Sequence, residues 1–391
     1  MTNKANNVES SEHISITKTL LLTLPMMFFT FMMLSAGKIP AEPNKIIALT
    51  ITFIFANTIF FLMLYKEKTD KYRAILFITY AICFVISFIS NLMEIRGSMA
   101  ISQENLLLCK TPFCHIVIPM TIIPLALSKT IIFPGTMVGA FASIASMLVL
   151  WIGASLALGR GFCGWGCFFG GLDDGFSRIF KRPIIKHINP KWHYLPFAVL
   201  LATALTSAML LNPTYCEWLC PYKTVTEYVE VTTTKIFIQT IIFVSLFLAL
   251  VVILPILTKK RTQCGLFCPF GAFQSFTNKI NPFEIRINQE ACIKCKRCIQ
   301  ICPAFSMTEE TLKDGKARFT CIKCGKCVDN CPKGALLFHV KGTSLTGSAA
   351  TFRLLFLYPA FLFLVTMAGS NIQDTILRIM RLITTGSMIL R

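Results

Sequence analysis

Long runs of apolar residues, separated by short polar segments, extend along most of the 391-residue chain. An α-helix needs about 20 consecutive apolar residues to cross a bilayer. Seven runs approach this length, near 19–36, 46–65, 74–92, 136–158, 194–211, 236–257 and 353–369. The pattern therefore predicts an all-α membrane protein that crosses the bilayer several times.

Two further apolar segments do not have the pattern of a plain span. Residues 115–134 contain residues that interrupt a regular helix, namely Pro119, Pro124, Lys129 and Pro134. We predict a re-entrant or broken segment there, whose backbone must be covered by protein. Residues 371–390 combine apolar and Arg positions at helical spacing, which is typical of an interfacial helix and leaves the side of the C-terminus open.

Composition agrees with a membrane protein, since 54% of the residues are hydrophobic and only 15% are charged. Ordinary globular domains carry about 25% charged residues. The net charge of +19 could suggest nucleic-acid binding. However, Lys and Arg are concentrated in the loops between apolar runs, where membrane topology places them, so we predict a lipid bilayer and no nucleic acid as partners.

The distribution of charge predicts which side of the membrane each loop occupies. Loop 160–192 has six Lys or Arg against two Asp, and segment 259–345 has fifteen against six Asp or Glu. Loop 212–235 instead has two Lys against three Glu. Because cytoplasmic loops are enriched in Lys and Arg, we place the first two segments in the cytoplasm and 212–235 outside, in a cytoplasmic (inner) membrane.

Eight of the 17 cysteines form two matching runs, C-I-K-C-K-R-C-I-Q-I-C-P at 292–303 and C-I-K-C-G-K-C-V-D-N-C-P at 321–332. Both have the C-x2-C-x2-C-x3-C-P spacing of bacterial [4Fe–4S] sites, in which the fourth cysteine binds the other cluster. We therefore assign Cys292, Cys295, Cys298 and Cys331 to cluster one, and Cys321, Cys324, Cys327 and Cys302 to cluster two.

A zinc site would require two C-x2-C pairs rather than two quartets followed by Pro. Thiolate clusters also need a reducing compartment, where disulfides are rare, in agreement with the cytoplasmic placement. The segment resembles bacterial two-cluster ferredoxins, which implies β-hairpins and short helices around the clusters. The Lys and Arg residues beside the thiolates either tune the clusters and dock an acidic partner, or are solvated positive-inside charge.

Two copies of R-x2-C-G-x2-C-x-F-G, at 160–170 and 261–271, place a C-x3-C pair beside the cytoplasmic end of an apolar run. Residues at i and i+4 share one face of a helix. Two such half-sites could supply four thiolates to one metal centre at the membrane surface. The alternatives are free structural thiols or a transient redox dithiol. The four residues are Cys163, Cys167, Cys264 and Cys268.

A third pair, Cys216 and Cys220, is predicted on the opposite face together with Cys109 and Cys114. These four residues would form another centre, or one or two disulfides, since disulfides persist outside the cytoplasm. Cys83 is alone in an apolar run, which is typical of a buried core thiol.

Several titratable residues accompany these motifs. Proton transfer to or from a quinone is one role open to Asp173, Asp174, His187 and His193. The alternative is that they are ordinary solvated loop residues. His115 is either a metal ligand or a polar residue at a span boundary. Lys129 is either a functional intramembrane charge or extends to the membrane surface.

Taken together, the spans, the repeated R-x2-C-G-x2-C motifs and the two [4Fe–4S] runs resemble polyferredoxin-type membrane proteins. That family includes the NapH quinol dehydrogenase component, the C-terminal half of NosR and the oxidase accessory protein CcoG. The resemblance covers about 136–340 and implies electron transfer between a quinone pool and a redox partner, or reductive maturation of a metalloenzyme. Phe168 departs from the family's Pro, and neither a flavin-attachment motif nor a C-x-x-C-H haem site is present.

We therefore expect an all-α polytopic membrane protein with an inserted α+β module that resembles a two-[4Fe–4S] bacterial ferredoxin. The expected function is electron transfer between a cytoplasmic or quinone-pool donor and a membrane or outer-face partner, as an oxidoreductase subunit. One or two additional iron–sulfur centres and a bound quinone are further expectations. A maturation factor and a membrane-anchored redox sensor are the alternatives.

The expected domain boundaries follow from the same patterns. An N-terminal membrane region of unknown role occupies 1–135, and a membrane core with the repeated C-x3-C motifs occupies 136–283. The two-cluster ferredoxin domain is expected at 284–345, and a C-terminal span and tail at 346–391.

Overall fold

The computed structural model describes residues 15–98, 100–101, 114–129, 144–186, 188–344 and 349–389. Six of its helical segments are long and apolar enough to cross a membrane: Ile16–Ser35, Pro43–Tyr65, Thr69–Glu94, Lys191–Leu210, Thr234–Thr258 and Ala349–Thr385. Each overlaps one of the predicted spans. The remaining prediction, 136–158, is described only from residue 144 onward, where a shorter apolar helix is present.

The helices of the N-terminal and central parts are α1 (Ile16–Ser35), α2 (Pro43–Tyr65), α3 (Thr69–Arg96), α4 (Ile118–Ser128), α5 (Ile144–Leu158), α6 (Gly161–Trp165), α7 (Phe168–Phe176) and α8 (Leu195–Leu210). The long apolar segment after α8 consists of α9 (Thr234–Leu246), a π-helical turn at Phe247–Ile253 and α10 (Leu254–Thr258). The later helices are α11 (Pro269–Ile280), α12 (Arg297–Ile301), α13 (Glu309–Asp314), α14 (Lys326–Asp329) and α15 (Ala349–Thr385).

Helix α15 packs against α1, α2 and α3, and its aromatic residues form much of this core. Its 37 residues correspond to a length of about 55 Å, well beyond the roughly 30 Å of a bilayer core. The predicted interfacial helix at 371–390 is therefore wrong as a separate element. Arg378, in this segment, is fully buried and its guanidinium contacts Glu94 and Asp374, so the segment continues the bundle.

Residues 115–129 form a 3₁₀ turn at His115–Val117 and then α4. With 11 residues, α4 is too short to cross a bilayer, as expected of a broken segment. The helix ends where Lys129 adopts a left-handed conformation with φ of 55°. Lys129 is exposed, and Pro134 lies outside the described residues.

The segment after α8 folds back into the protein. It forms a π-helical turn at Tyr215–Leu219 and a 3₁₀ turn at Pro221–Val225, which contact α9 and the following π-helical turn. The Tyr222 hydroxyl donates to the Phe169 carbonyl at the start of α7. This segment thus reaches the interior rather than remaining a surface loop.

Residues 283–340 form a small α+β unit between α11 and α15. Strands β3 (Phe283–Ile287) and β4 (Leu336–Val340) pair in antiparallel register from Phe283↔Val340 to Ile287↔Leu336, and α12, α13 and α14 lie between them in sequence. Both carboxylate oxygens of Asp329 accept hydrogen bonds from α3, from the backbone N–H groups of Thr69 and Asp70 at 3.0 and 2.7 Å. Asp329 therefore caps α3 and attaches the unit to the helical bundle.

A second, two-residue pairing joins strand β1 (Ala100–Ile101) to the parallel strand β2 (Tyr228–Val229). The pairing joins the segment after α3 to the segment that follows the 3₁₀ turn at Pro221–Val225.

Candidate metal centres

The eight cysteines of residues 292–331 surround two separate cavities of similar size, about 350 and 310 Å³. The sulfur-bearing residues that line the first cavity are Cys292, Cys295, Cys298 and Cys331. Those that line the second are Cys302, Cys321, Cys324 and Cys327. The structure thus brings together the two quartets that the spacing predicts, each completed by the fourth cysteine of the other run.

Matching backbone conformations shape the two cysteine loops. In each C-I-K-C segment the residue before the second cysteine is left-handed, as is the residue after it. The four residues are Lys294 (φ 53°), Lys296 (58°), Lys323 (49°) and Gly325 (82°). Alternation of right- and left-handed residues turns successive N–H groups toward one concave face, which binds anions.

Backbone N–H groups also donate to the sulfur atoms of both quartets. Ser306 donates to Cys302 Sγ at 3.3 Å, Ala335 to Cys331 Sγ at 3.3 Å, and Lys323 to Cys321 Sγ at 3.4 Å. Hydrogen bonds to sulfur favour the thiolate over the thiol, and thiolates are the ligand form that iron requires.

Burial has the opposite effect and raises the pKa of Cys321 to about 12 and that of Cys324 to about 11. At neutral pH such thiols keep their protons unless a metal cation displaces them. The second cavity therefore favours metal-bound sulfur over free thiolate.

Cys163 lies in the short helix α6, whereas Cys216 and Cys264 lie in π-helical turns at Tyr215–Leu219 and Gln263–Phe267. The N–H groups of Cys167 and Cys268 donate to carbonyls five residues earlier, those of Phe162 and Gln263, as in a π-helix. The second cysteine of each pair is extended, with ψ of 108° at Cys167, 106° at Cys220 and 117° at Cys268. Each pair therefore lies on a widened turn that ends at its second cysteine.

In each pair that second cysteine is also the residue immediately before the next helical segment. Cys268 Sγ accepts a hydrogen bond from Gly271 N–H at 3.4 Å at the start of α11. The N-terminus of a helix stabilises negative charge. Phe168, where the resembling family has Pro, begins α7, and its ring stacks on Phe84 of α3 at 3.5 Å between ring centroids.

The first two pairs are joined by a reciprocal exchange of hydrogen bonds. Arg160 Nη2 donates to the Cys264 carbonyl and Arg261 Nη1 to the Cys163 carbonyl, both at 3.1 Å. A Cβ atom at Gly170 would lie 2.6 Å from the Cys163 carbonyl oxygen, and one at Gly271 would lie 3.0 Å from that of Cys264. In the repeat R-x2-C-G-x2-C-x-F-G, the Arg thus binds the first cysteine of the opposite pair, whereas the last Gly leaves room for the first cysteine of its own pair.

All four cysteines of these half-sites are buried in one cluster of side chains. Negative charge on Cys163, Cys167 or Cys268 adds to burial in raising the pKa of Cys264, as expected for residues of one cluster. The structure thus assembles the predicted set of Cys163, Cys167, Cys264 and Cys268.

The third pair packs close to the first two, and its position on the opposite face of the membrane stays a prediction. Cys216 and Cys220 belong to the same buried cluster as the first two pairs, together with Cys114. The back-folded segment brings them there, and the Gln263 amide donates to the Tyr215 hydroxyl at 2.8 Å. Cys114, Cys216 and Cys220 are free thiols in the described structure, so none forms the predicted disulfide. Cys109 lies outside the described residues.

His115 lies between the two sets of cysteines. Its Nε2 atom is 3.1 Å from Cys167 Sγ, and its backbone is adjacent to Cys114. The imidazole is buried and in contact with four aromatic rings, those of Phe162, Phe168, Phe169 and Phe270. The buried position of His115 differs from that of an ordinary polar residue at a span boundary.

The cysteine half-sites lie directly against the loop of the second quartet. Trp165 Nε1 donates to the Lys323 carbonyl at 3.0 Å, and Arg160 Nη1 donates to the Thr320 carbonyl at 2.9 Å. The backbone of Gly164 faces the Ile322 carbonyl, leaving no room for a side chain. The signal for these contacts in the sequence is the Arg three residues before Cys163 and before Cys264.

Gly164→Ala is expected to lower the free energy of unfolding by about 1–3 kcal/mol, the usual cost of overpacking. Its Cβ would lie 2.3 Å from the Ile322 backbone oxygen, so the α+β unit must shift away from the half-sites. Thermal or denaturant unfolding of the detergent-solubilised protein measures the change. Gly175→Ala is the matched control, because its Cβ would meet only side-chain atoms of Ile78 at 3.5 Å or more. Equal losses in both variants would contradict the close approach.

The adjacent carboxyls of α7 have different environments. Asp174 is buried among the guanidinium groups of Arg73, Arg178 and Arg261, at 2.9–3.3 Å, and these cations hold its pKa well below its usual range against the effect of burial. Asp173 accepts the Cys264 N–H at 2.9 Å, and burial raises its pKa well above its usual range. Neither is a solvated loop residue.

His193 lies at the edge of the α+β unit, 3.0 Å from Arg318 Nη1. His187 lies outside the described residues. The predicted proton relay through Asp173, Asp174, His187 and His193 therefore stays a prediction.

Among the described residues, no three His, Cys, Asp or Glu side chains converge closely enough to bind one metal ion. A zinc site would need such convergence. An iron–sulfur cluster instead separates its four thiolates, one on each iron, and each of the two cavities is lined by four cysteines. The residues present fit iron–sulfur clusters better than single ions.

Comparison with known protein families gives the same chemistry. A 4Fe-4S dicluster domain matches residues 284–332, and a 4Fe-4S binding domain matches 140–187, 192–236 and 240–287. Each of the last three ranges contains one C-x3-C pair. The pair Cys216 and Cys220 therefore lies in a third copy of the same domain.

Three curated proteins illustrate the similarity. The "Putative electron transport protein YccM" of Escherichia coli is 27% identical over 44% of this chain and 48% of its own length. Two uncharacterized proteins of Methanocaldococcus jannaschii, MJ0750 and MJ0749, are 28% and 25% identical over 42% and 41% of this chain. The matches span 67% and 58% of their lengths, so the chain covers about half to two thirds of these relatives. No solved structure is similar to the chain.

The 4Fe-4S domains and the six apolar helices support a metal-binding iron–sulfur protein of a membrane.

Proposed function

We propose that this iron–sulfur membrane protein transfers single electrons between a soluble or quinone-pool donor and a partner in or across the membrane. A [4Fe–4S] cluster supplies reversible one-electron chemistry. The proposed cysteine sites would hold such clusters one after another, from the α+β unit into the helical bundle. The similarity to a protein named for electron transport supports this function. The finer relation to NapH, NosR or CcoG is part of the proposal.

The proposed ligands of the first cluster are Cys292, Cys295, Cys298 and Cys331, and those of the second are Cys302, Cys321, Cys324 and Cys327. The two cavities lined by these quartets support the assignment. The two quartets share the short helices of one unit, so electrons can pass between them without leaving the protein.

A third centre is proposed on Cys163, Cys167, Cys264 and Cys268. The observation that carries the relay is the contact between these half-sites and the loop of the second quartet. Cys324 of that loop belongs to the same buried cluster of side chains as the four half-site cysteines. The groups therefore form a continuous series from the α+β unit into the helical bundle.

The surroundings of Arg160 favour a metal centre over a pair of dithiols. Its guanidinium is only 2% exposed and donates to the backbone carbonyls of Cys264 and Thr320, while its Nε has no described partner. A buried charge without an opposite charge costs several kcal/mol. Protonated thiols carry no charge and would leave this cation uncompensated, whereas an iron–sulfur cluster bound by four thiolates is anionic.

Cys114, Cys216 and Cys220 extend the series beyond the third centre. Cys216 is electrostatically coupled to Cys220, Cys114 and Cys268, so the two sets adjoin each other. With Cys109 as the fourth ligand, as the sequence suggests, they would form a fourth centre. The cytoplasmic orientation of the α+β unit is proposed from the net positive charge of segment 259–345.

Iron and sulfide quantitation of the purified protein tests the proposal. Two clusters account for about eight irons per chain, and each further centre of the same type adds about four. We expect at least about twelve. A value near eight would leave only the α+β clusters and contradict the relay, and the maturation alternative with cycling dithiols would then account for the C-x3-C pairs.

A further inference from the structure

The two cysteine runs form equivalent loops that face different surroundings. Residues 292–295 and 321–324 both read C-I-K-C, and the Lys residue of each is left-handed, Lys294 with φ of 53° and Lys323 with φ of 49°. Matching sequence and conformation mean that the two loops present the same groups in the same arrangement. What one loop contacts therefore indicates what the other can contact.

The second loop is buried against the neighbouring half-site. Ile322 and Lys323 are each only 2% exposed, and Ile322 packs in the cluster that contains the C-x3-C cysteines. Lys323 Nζ donates to the Leu158 carbonyl and to the amide oxygens of Asn278 and Asn281, at 2.5–3.0 Å. An apolar side chain in a pocket and a Lys surrounded by oxygen atoms thus attach this loop to the next centre.

The first loop presents the same groups to solvent. Ile293 is 58% exposed, and Lys294 and Cys295 are also exposed. Lys296, Arg297 and Lys333 add three exposed cations around the same cavity; of these, Lys296 contacts Glu309. The result is an apolar centre with a cationic rim, located where a cysteine of the first quartet reaches the surface.

We propose that this surface, formed by Ile293, Lys294, Arg297 and Lys333, docks a soluble one-electron carrier protein with an acidic contact surface. The inference rests on the proposed function and names the partner of its first centre. The carrier would provide a pocket for Ile293 and oxygen atoms for Lys294, as the half-site does for Ile322 and Lys323. Carboxylates are the oxygen groups that suit three cations in solvent.

A protein carrier fits this surface better than a lipid headgroup. Electron exchange requires a redox group close to Cys295, and the exposed Ile293 beside it has the character of an interface anchor surrounded by charge. Rim charges of this kind mainly increase the association rate, in a manner that salt screens. The proposal therefore predicts a rate effect that depends on ionic strength.

The test is the second-order rate at which flavodoxin hydroquinone, an acidic one-electron carrier, reduces the full-length protein in neutral-lipid nanodiscs. The variant Arg297→Glu/Lys333→Glu is expected to slow the reaction about tenfold at low salt. At about 1 M salt, where the Debye length is about 3 Å, the variant and the wild type should nearly converge.

The matched control is Lys181→Glu/Arg182→Glu, which makes the same charge change at two exposed residues after α7. It should change the rate less than twofold. Equal slowing in both variants, or no slowing in either, overturns the docking surface. An effect that appears only with anionic lipids in the nanodisc also overturns it, in favour of a lipid contact.

Reduction by dithionite, followed by electron paramagnetic resonance (EPR), separates this proposal from the underlying function. Intact cluster signals in every variant, together with the selective rate loss, support the docking surface. Intact signals without that loss overturn the docking surface alone. Absence of cluster signals from the wild type would overturn the proposed function and the docking surface with it.

Discussion

Cys264→Ala is expected to remove about four irons per chain and to stop electron transfer beyond the α+β unit. Cys264 is buried among the other half-site cysteines, its N–H donates to Asp173 and its carbonyl accepts from Arg160. Loss of its thiolate leaves three ligands for the proposed third centre. The eight cysteines of the α+β unit are untouched, so their EPR signals after dithionite reduction should persist.

Iron content, EPR and stopped-flow reduction of the purified variant provide the measurement. Cys83→Ala is the control, because Cys83 is also a buried free thiol but packs among apolar side chains of the α3 region. It should retain the wild-type iron content. If Cys264→Ala also retains all of its iron, the half-sites hold no cluster and the relay fails.

Asp174→Asn is expected to lower the free energy of unfolding by about 3–5 kcal/mol, the usual cost of removing one partner of a buried ion pair. Its carboxylate contacts Arg73, Arg178 and Arg261. Without it, Asp70 still offsets part of this positive charge, through contacts with Arg73 and Arg178. Arg261 also holds the Cys163 carbonyl, so iron retention should fall together with stability.

Asp173→Asn is the matched control at the adjacent position. Because burial raises the pKa of Asp173 well above its usual range, Asn removes less charge here than at position 174. The Asn carbonyl can still accept the Cys264 N–H, so we expect a loss of about 1 kcal/mol or less, the size of one hydrogen bond. Denaturant unfolding compares the two variants, and similar losses in both would contradict the different environments of the two carboxyls.

The same pair has opposite dependences on pH. The pKa of Asp174 is depressed in the folded protein, so its stabilising effect is present above the unfolded pKa of about 3.9 and is lost as pH falls further. The pKa of Asp173 is raised, so its contribution is lost as pH rises through the folded pKa. Asp174→Asn should therefore remove part of the acid-side destabilisation of the wild type.

Local chemistry could be predicted from the sequence because its determinants are close in the chain. The C-x2-C-x2-C spacing fixes three ligands within one loop, and the exchange of the fourth follows from the paired runs. The structure gathers the same eight cysteines around two cavities. Six predicted spans coincide with long apolar helices. A long apolar run within a membrane must satisfy its backbone hydrogen bonds internally, which a helix does.

The packing of the third C-x3-C pair close to the first two could not be predicted in this way. An apolar helix separates Cys216 from Cys167 in sequence, and charge counting alone places the two on opposite faces. The position depends on a back-folded segment held by contacts such as the one from Tyr222 to Phe169, which carry no periodic signal. Likewise, the repeated Arg was visible, but its bond to the opposite half-site depends on tertiary packing.

Helix α15 has a consequence for biosynthesis. It is the last of the described helices to leave the ribosome, yet it packs against α1, α2 and α3, the first three. Its Phe356 and Phe363 also lie against the C-x3-C region, in contact with Trp165 and Phe162. The cysteine pockets therefore stay uncovered on this side until α15 has been synthesised, which leaves a period during membrane insertion when iron and sulfide can be delivered before the bundle closes.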